Sequence, residues 1–368
     1  MRSAPHAAQT PPSPCRTSHR SLRETQMTIN RHRLHLGVLA ASAVMALAGC
    51  GAVDTGALTS DGGSDPVQKS GEITIAYMQK QGDQQYFVDE ATGAKEEAEE
   101  LGDVEIRVVD LGTDSNEAIS QMNAMIAQQV DAIVIIVPDQ KIGPQVIDMA
   151  REAGIPLLAS ADPIEDGSGE PAPFVGFDSV AMGTQVGQKA GELFVESGWD
   201  TSHTKIMAAY SEGLTSCQDR QKGAEAGFKE KAGELLPIVT LGTDNSNVDA
   251  QNKAAAAVTA NPDVENWVVW GCNDESETGV VTALENAGIS PDNIIGVGLG
   301  AYLTCKDWQA GVKSGNKAAL YISGNEVGHT AVNTVVTALR DGTPLPENTQ
   351  VPTKMVDAET WEQEMSSC

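Results

Sequence analysis

From Glu72 onward, short apolar runs alternate with stretches whose apolar residues recur every three or four positions. ITIAYM is followed by a helical pattern near Val88 to Leu101, VEIRVVD by one near Ser115 to Gln129, and AIVIIV by one near Ile142 to Ala153, before PLLASA closes the series. The rhythm then restarts: KIMAAY, a helix near Gln218 to Ala232, LPIVTLG, a helix near Asn247 to Thr259, NWVVWG, a helix near Glu277 to Ala287, and IIGVGL. Strands separated by helices of this length pair in parallel through right-handed crossovers. Two such series in one chain predict an α/β protein of two doubly wound parallel-sheet lobes with a cleft between them. About three hundred residues follow the N-terminal segment, which also suits two cores better than one.

In open parallel sheets, ligands bind beyond the carboxyl ends of the strands. The segments in that position are Lys80 to Phe87, Pro138 to Gln140, Asp162, Glu212 to Arg220, Cys272 to Asp274 and Gly300 to Leu303. The first joins a cation (Lys80), amides (Gln84 among them) and an aromatic pair (Tyr86, Phe87). Sugars present hydroxyl rims and apolar C–H faces, which amide or charged groups and aromatic rings respectively satisfy. Arg220, with Ser216 and Cys217 nearby, follows the first strand of the second series, and Asn273 and Asp274 follow the third. A guanidinium can bond two adjacent hydroxyls or a ring oxygen, and an asparagine both donates and accepts. Either residue could instead serve as a cap or a surface charge.

The segment before Glu72 reads differently. Arg31, His32 and Arg33 precede an apolar run from Leu36 to Ala48 that ends Leu47-Ala48-Gly49-Cys50. That order predicts a signal peptide over 1–49 with a lipobox, leaving Cys50 as a lipid-modified N-terminus. Residues before Met27 lack apolar periodicity, so translation is expected to start at Met27, and Cys15 would then be absent from the cell. Residues 50–71, rich in Gly, Ser, Thr and Asp, are expected to form the lipidated end and a flexible tether.

Six arginines and one glutamate fall within residues 1–49, leaving 18 basic against 50 acidic side chains, a net charge near −32. Such a surface repels nucleic acid and anionic lipid headgroups, so membrane contact is expected through the anchor alone. The cysteines beyond Cys50 are Cys217, Cys272, Cys305 and Cys368, without the close spacings of a zinc site. Export would allow disulfides, whose pairing the sequence leaves open. His203 and His329 are the sole histidines of this part, and no His-Glu-x-x-His, Gly-x-Ser-x-Gly or Walker pattern occurs. Asp110 and Asp114 read as solvated surface in so acidic a chain. The GVGLGA run at Gly296 to Ala301 resembles a dinucleotide fingerprint, but it comes late in its lobe and no acidic residue ends a following strand, so tight-turn glycines are the better reading.

The residues from about Ile73 to Glu364 resemble the type I periplasmic binding proteins for sugars, and within them the L-arabinose-binding branch. The resemblance runs through IAYMQKQGDQQYF, LLASAD, CQDRQKGAEAGF and NPDVENWVVWGCNDESETGVVTALENAGISPDNIIGVGL. It implies two lobes, 72–177 with 324–350 and 178–323 with 351–368, joined by three crossovers near Phe177, Ser323 and Val351. It further implies a monomer without metal or cofactor that captures a monosaccharide or polyol and delivers it to the permease subunits of an ABC importer. On the family pattern Lys80 matches a sugar-binding lysine, Gln84 stands in place of an acidic ligand residue, and Tyr86 replaces a stacking tryptophan. Asp162 falls on the residue that bonds the anomeric region, Phe177 on an apolar hinge residue, Arg220 on the ring-oxygen arginine, and Asn273 on a hydroxyl-binding asparagine. Ala161 stands where a second aspartate is expected, and Gly300 and Leu303 where polar ligands are expected. Rival expectations are a receptor that presents its ligand to a membrane sensor, and an exported glycosidase with two acids across the cleft.

Overall fold

A computed structural model describes residues 68–368 except 366; the leader, Cys50 and most of the tether lie outside the described residues. The chain runs β1 (Ile73–Gln79), α1 (Gln85–Leu101), β2 (Val104–Asp110), α2 (Ser115–Ala127), β3 (Ala132–Ile135), α3 (Gly143–Ala153), β4 (Leu157–Ala161) and β5 (Phe174–Gly176). It continues through α4 (Ser179–Ser197), β6 (Thr204–Tyr210), α5 (Thr215–Ala232), β7 (Ile238–Gly242), α6 (Asn247–Ala260), β8 (Asn266–Gly271), α7 (Asp274–Asn286), β9 (Ile294–Gly300), α8 (Thr304–Gln309) and β10 (Asn316–Ile322). Last come α9 (Gly324–Asp341), β11 (Asn348–Gln350), β12 (Thr353–Asp357) and α10 (Trp361–Glu364).

The strands form two six-stranded sheets, ordered β11-β5-β4-β3-β1-β2 and β12-β10-β9-β8-β6-β7. Every pairing is parallel except β10 with β12. Central strands are buried on both faces, as parallel sheets flanked by helices require. On β1, Ile75 and Tyr77 join the apolar cluster of α1 and α9, while Ala76 and Met78 join that of α2 and α3. The chain leaves the first sheet after β5, returns with α9, which packs on α1, and passes from β11 to β12.

Three helices begin earlier than the apolar pattern predicts. α1 starts at Gln85, α5 at Thr215 and α7 at Asp274, not near Val88, Gln218 and Glu277. The first turns of α5 and α7 are largely polar and that of α1 brings the Tyr86-Phe87 pair, because all three face the cleft, so the regular apolar periodicity sets in only one turn later. Arg220 is accordingly a helical residue in the second turn of α5.

Glycines bring two helix pairs into backbone contact. On the α4–α5 seam, a Cβ on Gly183 would lie 1.9 Å from the Arg220 carbonyl oxygen, and one on Gly187 would lie 2.0 Å from that of Ala224. On α1–α9, a Cβ on Gly328 would lie 2.1 Å from the Glu90 carbonyl. Of the helices that carry cleft residues, α1 and α5 are thus each pressed against a helix that starts just after a crossing between sheets. The glycines of GVGLGA have a different use from the turn expected of them. A side chain on Gly296 would meet Glu277 Oε1 at 2.2 Å, and one on Gly298 would meet Asp274 Oδ1 at 2.9 Å. They make room for buried carboxyls, and Gly300 alone of the three has a positive φ, +133°.

Candidate functional site

The cleft opens at the carboxyl ends of both sheets, where the strand order reverses about β1 and about β6. The cavity within it has a volume of about 70 Å³. Of the six non-glycine residues with positive φ among the described residues, Gln81, Ala161, Asn245 and Ala301 follow or end strands around this opening, with φ of 49°, 57°, 67° and 72°. Left-handed backbone is costly for such residues and gathers where side chains must be aimed.

All ten residues singled out from the sequence line this cleft. Lys80, Gln84, Tyr86, Phe87, Asp162 and Phe177 come from the first sheet's side, and Ser216, Arg220, Cys272 and Asn273 from the second. Lys80 Nζ donates to Asp162 Oδ2, with both side chains less than a tenth exposed. Arg220 Nη2 lies 3.9 Å from Asp162 Oδ1 across the cleft. Burial pushes Asp162 up, but the Lys80 ammonium and then the Arg220 guanidinium outweigh it and hold the carboxyl below its ordinary range. Arg220 Nη1 donates to the Cys272 carbonyl at 2.8 Å, and its buried Nε has no partner among the described residues.

Disulfides join Cys217 to Cys272 and Cys305 to Cys368. The first ties the opening turn of α5 to the end of β8, beneath Arg220. Cys272 therefore acts through its carbonyl and its crosslink, with its sulfur committed.

Asn273 is the N-cap of α7. Its Oδ1 accepts from the Ser276 backbone N–H at 3.1 Å and hydroxyl at 2.6 Å, and its Nδ2 donates to the Asn245 carbonyl at 3.0 Å and to Glu275 Oε2 at 2.7 Å. Its amide is fully engaged, so it lines the cleft as the keeper of Glu275.

Aromatic rings form the apolar wall. Tyr86 stands edge-on to Phe87 with centroids 5.1 Å apart, and to Tyr302 at 6.3 Å. The Tyr302 hydroxyl donates to the Ile322 carbonyl at 3.0 Å and accepts from the Gly324 N–H at 3.1 Å, fastening this wall to the crossing at Ser323.

Asn245 and Glu275 lie outside every segment picked out from the sequence, and Gln81 and Tyr302 lie within such segments without having been singled out; all four line the cleft. Glu275 is the most consequential. Burial and then the neighbouring Asp274 push its carboxyl up to about 7. It follows Asn273-Asp274 directly, a signal that was present but fell one residue past the segment ending at Asp274. Asp274 lines the cleft too, yet its carboxylate is spent on the Thr304 hydroxyl, at 2.7 Å, and the N–H groups of Leu303 and Thr304. Leu303 contributes that N–H and does not line the cleft.

His329 lies outside the cleft, with Nδ1 2.9 Å from Glu97 and Nε2 3.3 Å from Glu96. Among the described residues no group of three His, Cys, Asp or Glu is placed to hold a metal, and no helix is long and apolar enough to cross a membrane.

Two facing α/β lobes with a polar and aromatic cleft at their strand ends define a solute-binding protein. Residues 75–343 match the family model described as "Periplasmic binding protein domain", and the chain belongs to that family. It is similar to an ABC transporter L-arabinose-binding periplasmic protein of Azospirillum brasilense, 26% identical over 79% of this chain and 88% of the relative. It is also similar to the L-arabinose-binding periplasmic protein of Escherichia coli K12, 25% identical over 62% and 70%. Among solved structures it matches an ABC transporter solute-binding protein from Bacillus halodurans C-125 with bound myo-inositol. That match has a TM-score of 0.67 at 21% identity and covers 80% of this chain and 98% of the other.

Proposed function

We propose that this protein captures a small neutral sugar or polyol outside the cytoplasm and delivers it to the permease subunits of an ABC importer. The observation that carries this reading is the junction of Lys80, Asp162 and Arg220 across the cleft. Lys80 and Arg220 are set against three carboxyl groups in the same lining, Asp162, Asp274 and Glu275, so donors and acceptors are directed at hydroxyls without the surplus of positive charge that an anionic ligand would need. The rings of Tyr86, Phe87 and Phe177 supply the apolar face. The names of the arabinose-binding relatives support a monosaccharide of this kind.

Gln84 and Glu275 are the further hydroxyl partners, and Asn273 holds Glu275 in place. Segments 72–177 with 324–350 and 178–323 with 351–368 close on the ligand as two bodies. The protein is a monomer that releases its ligand unchanged, anchored through lipid on Cys50. A thermal-shift screen of pentoses, hexoses and polyols tests the reading: a ligand at 100 times its dissociation constant adds about 2.7 kcal/mol of stability. If no compound raises the melting temperature, the carbohydrate assignment fails.

A further inference from the structure

We infer that Gln140, which does not line the cleft, is a positioning residue for capture: it caps α5 from the opposite lobe and so couples closure to the helix that carries Arg220. α5 has no cap of its own. The residue before it, Leu214, is extended and has no side-chain acceptor, whereas Asp114, Asp178, Ser246, Asn273 and Ser323 cap α2, α4, α6, α7 and α9. The first N–H groups of a helix lack intrahelical partners and carry the positive end of its dipole. At α5 they are met by Gln140 Oε1, 2.7 Å from the Thr215 nitrogen and 3.3 Å from that of Ser216.

Gln140 stands in the short 3-10 turn Gln140–Ile142 after β3, on the first sheet's side. Its orientation is fixed because Nε2 donates to the Pro163 carbonyl at 2.7 Å. Pro163 directly follows Asp162, so one amide spans from the backbone beside the buried acid to the helix that bears the arginine facing it. Parting of the lobes would break both Oε1 contacts and leave Thr215 and Ser216 to water. The closed form gains a cap that the open form lacks, and it gains it without touching the ligand.

This inference rests on the proposed capture by closure, and its test separates the two ideas. Hydrogen exchange is followed at the Thr215 and Ser216 amides of the full-length wild type and of Gln140→Ala, without ligand and with L-arabinose, D-ribose or myo-inositol as probes. Exchange at these two amides is expected to quicken in Gln140→Ala while the first turn of α7, capped by Asn273, is unchanged. For a probe that binds, loss of one cap should raise the dissociation rate about three- to tenfold with little change in association. Gln140→Asn, which keeps the amide but falls one methylene short, should behave the same way and serves if the alanine variant folds poorly. Unaltered exchange at Thr215 and Ser216 overturns the inference whether or not a probe binds. Faster exchange with an unaltered dissociation rate reduces Gln140 to a local cap and also overturns it. If exchange quickens and none of the sugars binds, the carbohydrate assignment fails while the cap across the lobes stands.

Discussion

Arg220 and Asp162 face one another from opposite lobes, with Nη2 3.9 Å from Oδ1, and Lys80 occupies the other oxygen of the same carboxylate. The distance exceeds that of a tight charge-assisted hydrogen bond, so the guanidinium retains donors for a third party.

Arg220→Ala is expected to weaken ligand binding at least tenfold, a loss of roughly 1.5–3 kcal/mol, because a ligand oxygen then lacks its charged donor in a water-poor site. Melting of the ligand-free protein should change little, since Lys80 still neutralises Asp162. Calorimetry with the ligand found by thermal shift decides it. Unchanged affinity would mean that the cleft is not the binding site.

Replacing Cys217 and Cys272 together by alanine should both destabilise the protein and blunt binding. The crosslink closes a loop over a sequence separation of 55, worth about 4 kcal/mol in a chain-entropy account. It also holds the carbonyl on which Arg220 leans. Denaturant melts and binding isotherms of the double variant check both parts, and native affinity in a folded variant would show that Arg220 needs no such support.

Glu90 should make stability fall as pH rises. Burial pushes this carboxyl, which accepts from the Tyr77 and Ser160 hydroxyls, up to about 7. In the unfolded chain a glutamate titrates near 4.3, so between those values the folded protein keeps a proton that the unfolded chain has released. Stability therefore declines from about pH 4.3 to about pH 7 and levels off above, by roughly 3 kcal/mol from this group. Glu90→Gln keeps the acceptor oxygen and cannot ionise. Urea midpoints at pH 5 and pH 8 should differ less in the variant, and parallel shifts in both proteins would exclude Glu90 as the source.

Cys50→Ser should release the protein from the membrane fraction or leave its precursor uncleaved. Fractionation with an antibody against the folded part reads this directly, and stable anchoring of the variant would exclude lipidation at Cys50.

The lobed α/β architecture was legible because apolar runs of strand length are nearly unbroken when both faces of a sheet are covered. Helix starts were less so: Thr215 and Asp274 open helices with polar residues that serve the cleft. Positions directly after strands predicted Lys80 and Asp162 well, since topology alone puts such residues at the opening; Arg220 came with the longer stretch after β6, although it sits in the second turn of α5. Glu275 escaped because it falls one residue past the segment ending at Asp274, and Tyr302, inside the Gly300 to Leu303 segment, was not singled out because only the path of the turn decides which way its side chain points. The disulfide partners were likewise invisible, being set by which strand end the first turn of α5 meets. Asn273 was found, but its role as a cap follows from contacts that no spacing reveals.

The glycine seam of α4 and α5 divides the molecule into what can drift and what cannot. A methyl group added at Gly183 would have to displace the Arg220 carbonyl, and with it the helix that presents the guanidinium. Ala161 and Glu275, by contrast, belong to the lining of the cleft. Descendants of this chain can therefore exchange cargo by altering the lining while inheriting the lever unchanged.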